Sequence, residues 1–339
     1  MIAMPNSGVV AQISDFCARV GADPLLVQAA GGNVSWKDGE TLWVKASGAW
    51  LADASEKEIF IPVDLPHLHE AIKNGDFDVA PTLQNNSPLK PSIETLLHAL
   101  MPQKIVVHLH AIEILAYLIR HDCETELRRL LTNCPPWVLI DYHKPGKELA
   151  QAVFQAISAD PQLKLIFLRN HGVVVGGEHI DEVNDMLTTI IRNLTTIPRN
   201  TFSSVQNKAP GALDHYIPIQ DIELHELVRD PELFNRLDKY WALYPDHVVF
   251  LGSQAYTYKT LDDFLFKNRQ EQHSPELIFI QNRGVYVKPT FNRAKQAQLR
   301  CYYDVIKRQE TGSSLYILSS LQIAELLNWD AEQYRQRIQ

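Results

Sequence analysis

The sequence is poor in cysteine, with four in 339 residues and no C-x-x-C pair. So few and such widely spaced thiols exclude a disulfide scaffold and a zinc ribbon, and they favour a reducing compartment. No apolar stretch approaches the roughly 18 residues that span a bilayer. The first fourteen residues also lack the basic and continuous apolar segments of a signal peptide. We therefore expect a cytoplasmic protein without a membrane-spanning helix.

Basic residues and nucleotide-binding motifs are also scarce. Lys and Arg total 32 against 40 for Asp and Glu, which gives a formal net charge of −8. Such a chain repels nucleic acid and anionic lipid, because both need a basic face. Neither G-x-G-x-x-G nor G-x-x-x-x-G-K-[ST] occurs, so a dinucleotide fold and a P-loop have no support. With 45% apolar and 21% charged residues, the composition is that of a folded globular protein.

Strand-like and helix-like segments alternate over the first 200 residues. The hydrophobic spacing predicts a helix within 11–27, strands at 34–36 and 42–45, a strand at 105–110, helices within 112–131, a strand at 137–142, a helix at 148–159, a strand at 163–175 and a helix at 180–194. This order predicts an α/β fold in which helices are layered on a sheet.

A polar stretch punctuated by Pro and Gly, residues 200–212, indicates a connection between two domains. We assign residues 1–204 to a first domain and residues 205–339 to a C-terminal α+β extension of unknown role. Within the extension, the spacing predicts helices at 221–240, 293–308 and 319–327 and strands at 248–251 and 277–280.

The H-x-H sequence at His108 and His110 lies in a strand-like run. Side chains two apart on a strand project from the same face, so both imidazoles can bind one metal ion. The same spelling at His67 and His69 falls in a helix-like run, where the two side chains point about 200° apart. A lone H-x-H also suits two histidines that bond to their neighbours, so a metal site requires further ligands.

Two other residues extend this candidate metal site. His171 follows a strand and precedes Gly172, which permits a sharp turn and a close approach of neighbouring groups. Three imidazoles leave coordination positions of Zn²⁺ open, as in catalytic sites, although His171 alone also suits a buried histidine bonded to a carbonyl. Glu94 follows Pro91 and Ser92 at a predicted helix start, where the alternative role is an acid that stabilises the helix dipole.

Two glycine-containing turns offer backbone N–H groups and short polar side chains. They are Gly31-Gly32-Asn33-Val34-Ser35 and Lys45-Ala46-Ser47-Gly48. With cations nearby, such turns form a nest for phosphate or carboxylate, although each is also a common loop turn.

Taken in order, these motifs resemble the class II aldolase/adducin family. The resemblance is carried by Gly32-Asn33-Val34-Ser35, Lys45-Ala46-Ser47-Gly48, Pro91-Ser92-Ile93-Glu94, His108-Leu109-His110 and Asn170-His171-Gly172. It covers about residues 10–200 and implies a three-layer α/β domain with a central, mostly antiparallel sheet. The whole chain resembles the aldolase half of long rhamnulose-phosphate aldolase/short-chain dehydrogenase proteins.

The resemblance implies roles for individual residues. In the family's fuculose- and rhamnulose-phosphate aldolases the corresponding histidines hold zinc, which implies His108, His110 and His171 as metal ligands here. The family's acid transfers a proton, which implies Glu94 as the catalytic base. The implied phosphate site comprises Asn33, Ser47, Gly48 and Ser92, and we add Ser35 and Lys45 as candidate substrate-binding residues. Ile93 replaces a serine that these aldolases often have, so the phosphate requirement is open.

We therefore expect a zinc-dependent aldolase that makes or breaks a carbon–carbon bond of a ketose, expected to be a ketose 1-phosphate, through a metal-stabilised enediolate. Another divalent transition metal would serve the same chemistry. Arg169 and Lys45 are candidate anion partners. The acid that protonates the aldehyde oxygen stays open among Tyr117, Tyr142 and the C-terminal tyrosines.

Two alternatives to the aldolase remain. One is an epimerase or decarboxylase with the same metal-enediolate chemistry, since a fold does not determine a function. The other is a non-catalytic, adducin-like scaffold, which we would expect to lack the metal histidines. The resemblance also implies a homotetramer with its sites at subunit contacts.

Overall fold

A computed structural model of the chain describes residues 7–199, 211, 213, 215–270 and 274–337. Apart from Gly211, the predicted connection at 200–212 lies outside the described residues, as does the division after residue 204. The α-helices are α1 Ser7–Ala22, α2 Leu65–Lys73, α3 Thr95–Leu100, α4 Ile112–Leu118, α5 Cys123–Leu130, α6 Lys147–Ala159, α7 Ile180–Asn193, α8 Glu226–Arg229, α9 Pro231–Lys239, α10 Pro245–Leu251, α11 Leu261–Gln270, α12 Arg293–Ile306, α13 Ser320–Leu327 and α14 Asp330–Arg337. The strands are β1 Asn33–Asp38, β2 Thr41–Lys45, β3 Phe60–Asp64, β4 Ile105–Leu109, β5 Trp137–Ile140, β6 Leu165–Leu168, β7 Gly172–Gly177, β8 Ile217–Pro218, β9 Thr257–Tyr258, β10 Leu277–Ile280 and β11 Gly284–Val287.

A seven-stranded sheet in the order β3-β2-β1-β4-β7-β6-β5 forms the centre of the N-terminal part. Neighbouring strands are antiparallel except β5 and β6, which are parallel. Helices cover both faces: along β4, Val107 and Leu109 pack in one hydrophobic cluster, whereas Val106 packs in another. This alternation makes three layers, so the predicted α/β fold with a mostly antiparallel central sheet is confirmed.

Helix α1 shows how the sequence pattern produces this packing. Ile13, Phe16, Cys17 and Val20 recur at intervals of three and four residues, which places them on one face of a helix. All four are buried in the cluster that covers one face of the sheet.

The predicted single strand at 163–175 is wrong, because the structure forms the two antiparallel strands β6 and β7 there. The chain reverses at Asn170, whose φ of 53° lies in the left-handed region, and the N–H of His171 donates to the carbonyl of Leu168. Asparagine tolerates this conformation better than most residues. Both strands are buried on both faces, so the sequence is apolar on either side of the turn. The turn itself is marked only by Arg169-Asn170-His171.

Two predictions in the extension are also wrong. Residues 248–251 belong to helix α10 rather than to a strand, because Pro245 starts a helix that is buried on all sides and therefore shows no amphipathic period. The predicted helix at 221–240 is divided into a 3₁₀ helix, α8 and α9. Pro231 starts α9, and Asp230, extended as expected before proline, caps it by accepting hydrogen bonds from two backbone N–H groups.

The C-terminal part contains a second sheet in the order β8-β11-β10-β9, surrounded by helices, so the predicted α+β extension is confirmed. Its hydrophobic core includes Ile112, Leu115 and Ile119 from α4 and the residue that follows it. The opposite face of α4 packs against the first sheet. Helix α4 is therefore shared by both cores, and the buried ion pair between Arg308 and Glu113 (2.9 Å) strengthens the contact.

We expect a chain that ends at residue 204 to aggregate, since it exposes the face of α4 that Ile112, Leu115 and Ile119 form. Burial of each such side chain contributes roughly 1.5–3 kcal/mol to the free energy of folding. The sum for three side chains approaches the whole free energy of unfolding of a typical domain. Soluble yield and size-exclusion chromatography measure the effect. The same truncation with these three residues changed to lysine is the control and should be more soluble. A soluble, monodisperse 1–204 chain would contradict the shared core.

Within the described ranges, no helix combines the length and the apolar character that a bilayer crossing needs.

Candidate metal centre

Three histidines converge at one end of strand β4. His108 lies in β4, His110 follows directly after it, and His171 lies in the turn between β6 and β7. One ring nitrogen from each can be chosen so that all three lie within 4.8 Å of one another. All three side chains are buried. The structure therefore brings together the three imidazoles that the sequence proposes as metal ligands.

Strand pairing explains this convergence. β4 and β7 are antiparallel, with His108 opposite Val174, so the turn before β7 lies beside the end of β4. A Cβ atom at Gly172 would lie only 2.4 Å from the carbonyl oxygen of Leu109. Glycine at this position therefore permits the close approach that places His171 beside the H-x-H pair.

The hydrogen bonds of the rings indicate which nitrogens face the centre. The Nδ1 of His108 lies 3.0 Å from the carbonyl oxygen of Val173, and the Nδ1 of His110 lies 3.3 Å from Asp246 Oδ2. The two Nε2 atoms of His108 and His110 face each other at 3.1 Å. Since the outer nitrogens are engaged, the inner Nε2 atoms are the metal-binding candidates. Three imidazole donors fit a divalent transition metal such as zinc.

Burial determines the protonation of these rings. It lowers the pKa of His108, and it lowers that of His171 well below the ordinary value, where the neighbouring His108 adds to the effect. The charged imidazolium loses more solvation than the neutral ring when it is buried. Both rings are therefore neutral at pH 7, which is the form that binds a metal.

Glu94 lies directly beside the histidines. Its Oε1 is 3.3 Å from His171 Nε2, and its Oε2 is 3.6 Å from His108 Nε2 and accepts a 2.6 Å hydrogen bond from Asn33 Nδ2. Oε1 is buried and has no hydrogen-bond partner. This orphaned oxygen adjoins the inner imidazole nitrogens, as expected beside a metal position.

The start of the adjacent helix differs from the prediction. Helix α3 begins at Thr95 rather than at Pro91 or Ser92, and Glu94 occupies the N-cap position. The Glu94 side chain makes no capping hydrogen bond, and its oxygens lie beside Asn33 and His171 instead. Ser92 turns the chain instead, since its hydroxyl accepts a hydrogen bond from the N–H of Glu94.

A polar cavity opens beside these groups. Among its lining residues are the predicted site residues Asn33, Lys45, Ser47, Gly48, Ser92, Glu94, His110 and His171. A β-bridge between Ala46 and Pro91 joins the segment of Ser47 to that of Ser92. Five separate segments thus contribute predicted residues to one cavity wall.

Lys45 is a buried cation candidate in this wall. Its Nζ donates hydrogen bonds to the carbonyl oxygens of Ala30 (3.0 Å) and Ala49 (2.6 Å). Burial, reinforced by Arg335, lowers the pKa of Lys45 to about 7. The side chain therefore ties the two glycine-containing turns together and is only partly charged near neutral pH.

Ser35 lies elsewhere. Its hydroxyl is 2.7 Å from His98 Nδ1, and the side chain is fully buried beneath α3. The other residues considered as anion partner or acid also lie outside the described cavity lining. Arg169 pairs with Asp141, Tyr117 stacks with Arg120, and the buried hydroxyl of Tyr142 has no hydrogen-bond partner.

Three site residues come from the extension and were missed by sequence reasoning: Asp246 on α10 and Glu332 and Arg335 on α14. Burial alone would raise the pKa of Asp246, but Arg335 and His110 outweigh it and hold the pKa below its ordinary value. Burial raises the pKa of Glu332. No motif surrounds these residues, and the only local signal is the helical spacing of Glu332 and Arg335, which is common on surfaces.

A family model described as the class II aldolase and adducin N-terminal domain matches residues 11–196, which is more than half of the 339 residues. Among curated proteins, the chain is 26% identical over 189 residues to the uncharacterized oxidoreductase YuxG of Bacillus subtilis strain 168. That match covers 51% of this chain and 27% of YuxG, so the chain spans about a quarter of the length of this curated relative.

Solved structures with similar folds include the N-terminal class II aldolase domain of a conserved protein from Thermoplasma acidophilum. It shows 26% identity and a TM-score of 0.48, covering 57% of this chain and 95% of that chain. A sugar-phosphate aldolase from Thermotoga maritima shows 15% identity and a TM-score of 0.44, covering 55% of this chain and 92% of that chain. Residues 197–339, which supply Asp246, Glu332 and Arg335, lie outside the family match.

Proposed function

Because this chain belongs to the class II aldolase and adducin family, we propose that it is a metal-dependent aldolase, a lyase that makes or breaks a carbon–carbon bond of a ketose. The observation that carries the proposal is the convergence of three buried imidazoles with the Glu94 carboxylate. We expect a scaffold that only binds other proteins to lack such a buried group of three imidazoles and a carboxylate.

His108, His110 and His171 would hold the metal, for which we propose zinc. Zinc accepts three protein nitrogens and keeps one or two positions for substrate in catalytic sites. When bound, the ion supplies a Lewis acid that stabilises the negative charge developing on the substrate oxygens. The neutral state of His108 and His171 supports this role, because no proton has to leave these rings before they bind an ion.

Glu94 is the proposed proton-transfer residue. Asn33 holds one carboxylate oxygen, which orients the group, while the other oxygen has no hydrogen-bond partner and is available to a substrate. In the direction of bond formation, Glu94 accepts the proton from the carbon beside the ketone, and that carbon then attacks the aldehyde. In the direction of cleavage, Glu94 returns the proton to the same carbon.

The substrate we propose is a ketose 1-phosphate. Ser47, Gly48 and Ser92 line the same cavity as Lys45, and short hydroxyls, a glycine turn and a cation are typical of anion sites. Lys45 is only partly charged before an anion binds, and an anion would favour its protonated form.

A sugar needs more room than the cavity offers in this conformation. Its volume is about 30 Å³, enough for about two water molecules. Substrate binding therefore requires part of the lining to move.

Product analysis tests the proposed reaction. The zinc-loaded protein is incubated with ketose 1-phosphates and with the same ketoses without phosphate, and the products are separated and identified by mass spectrometry. We expect two fragments whose carbon atoms sum to those of the substrate, and faster turnover of the phosphorylated series. Equal rates for both series would contradict only the phosphate site.

The alternatives give different products. An epimerase keeps the carbon count, and a decarboxylase releases one carbon as carbon dioxide. A scaffold turns over neither series, even when the metal content is about one ion per chain. Each of these three results would contradict the aldolase.

We also propose that the active form is a cytoplasmic homotetramer, as the family resemblance implies. We further propose that residues 1–204 and residues 205–339 are two domains. The core shared through α4 supports a fixed arrangement of the two units rather than independent folding. Sedimentation velocity of the purified protein measures the oligomeric state.

A further inference from the structure

We propose that Asp246 is a positioning residue that fixes the ring of His110 for metal binding, so that the C-terminal extension completes the metal centre. This inference rests on the proposed metal-dependent function. Asp246 lies on α10, 136 positions beyond His110 in the chain and outside the region that the family model matches.

The contact between the two side chains defines the orientation of the ring. Asp246 Oδ2 lies 3.3 Å from His110 Nδ1, and His110 Nε2 faces His108 Nε2 at 3.1 Å. A carboxylate that accepts the Nδ1–H holds that proton on the outer side of the ring. The lone pair of Nε2 is then directed to the metal position, and the ring becomes a stronger donor.

Asp246 is itself firmly held. Arg335 Nη2 donates a hydrogen bond to its Oδ1, and Gln298 Nε2 approaches its Oδ2 at 3.4 Å. Arg335 is oriented in turn by Glu332, whose two oxygens lie 3.2 and 3.1 Å from Nη1. All of these residues are buried, so the carboxylate has one defined direction toward His110.

The first glycine turn leaves room for this pair. A Cβ atom at Gly31 would lie 3.1 Å from Asp246 Oδ2 and 3.3 Å from His110 Nδ1. Both distances are tighter than ordinary van der Waals contact, so a larger residue would press on the hydrogen bond. The glycine that sequence analysis assigns to an anion nest therefore also borders the His110–Asp246 contact.

The test compares Asp246→Asn with the wild-type protein. Zinc affinity is measured by competition with a chromophoric chelator, and the absorption spectrum of the cobalt-loaded protein reports the ligand geometry. We expect affinity to fall by roughly 10- to 100-fold, the usual effect of removing an outer partner of a metal histidine, and the cobalt bands to shift.

Asp304→Asn is the matched control. Asp304 is a buried carboxylate on α12 that pairs with Arg300 and Arg308, away from the cavity. This variant should lose stability without a change in zinc affinity or in the cobalt spectrum. Equal affinity in wild-type and Asp246→Asn proteins, or equal weakening in both variants, would overturn the positioning role.

A structure of the zinc-loaded wild-type protein tests the inference without any variant, should Asp246→Asn fail to fold. We expect ligation by His110 Nε2 with Nδ1 on the Asp246 carboxylate. Ligation through Nδ1, or a carboxylate turned away from the ring, would overturn it. A wild-type protein that binds no metal would instead overturn the proposed function, so the two failures are distinguishable.

Discussion

His108→Ala is expected to abolish metal binding and carbon–carbon cleavage together. His108 is fully buried in β4, and its Nδ1 lies 3.0 Å from the carbonyl oxygen of Val173, so the strand fixes the position from which its Nε2 donates. Removing one of three ligands leaves a two-histidine site of low affinity. Because the metal supplies several kcal/mol of charge stabilisation, turnover should fall by at least about 10³-fold.

The chain supplies a matched control for this experiment. His67→Ala alters an H-x-H sequence of the same spelling, but His67 is exposed on helix α2 and lies outside the cluster. Metal content is measured by elemental analysis, and cleavage by the release of aldehyde. We expect about one zinc per chain in the wild type and in His67→Ala, and close to none in His108→Ala. Cleavage by a metal-free preparation would contradict the proposal.

Thermal unfolding separates loss of metal from loss of fold. His108→Ala also removes a buried ring, which costs stability through the space it leaves. The metal-free wild type is the proper reference, since it keeps the ring and lacks the ion. If the variant unfolds at a temperature close to that of this reference, its missing activity reports the missing ligand.

The residues that sequence analysis placed correctly are those whose position follows from local geometry. His108 and His110 share a strand end, so their common direction follows from the two-residue period of a strand. Glu94 and His171 were found through motifs with strict spacing. The structure places all four around one point, although His171 reaches it through a hairpin where a single strand was predicted.

Ser35 shows the limit of the same reasoning. It shares a strand face with Asn33, but two residues along a strand correspond to nearly 7 Å. Asn33 therefore reaches Glu94, whereas Ser35 meets His98 on α3. A motif identifies the strand, but the distance of each side chain from the reacting centre depends on the helix packed above it.

Asp246 and Arg335 could not be found from the sequence for a different reason. Asp246 contacts His110, and Arg335 contacts Asp246. Both contacts depend on how the extension packs on α4, which joins residues far apart in the chain. The buried helix α10 has no amphipathic pattern, and its apolar run favours a strand as much as a helix. Tertiary packing, rather than any local signal, determines this half of the site.

Glu94→Gln should separate chemistry from metal binding. Glutamine has the same shape, and its carbonyl oxygen can still accept the hydrogen bond from Asn33, but it cannot take up the substrate proton. We expect about one zinc per chain, an unchanged unfolding temperature, and a fall in kcat of about 10²- to 10⁴-fold, the usual contribution of a general base.

Exchange of the substrate proton with deuterated water reports the same step without cleavage, and it should be lost in Glu94→Gln. Glu113→Gln serves as the control, because Glu113 is also a largely buried acid but pairs with Arg308 at the contact between the two cores. A Glu94→Gln protein that loses its zinc would make Glu94 a structural ligand. Among the described residues, Glu94 is the acid that adjoins two of the imidazoles. A Glu94→Gln protein that keeps full exchange would therefore show that the proposed proton transfer is wrong.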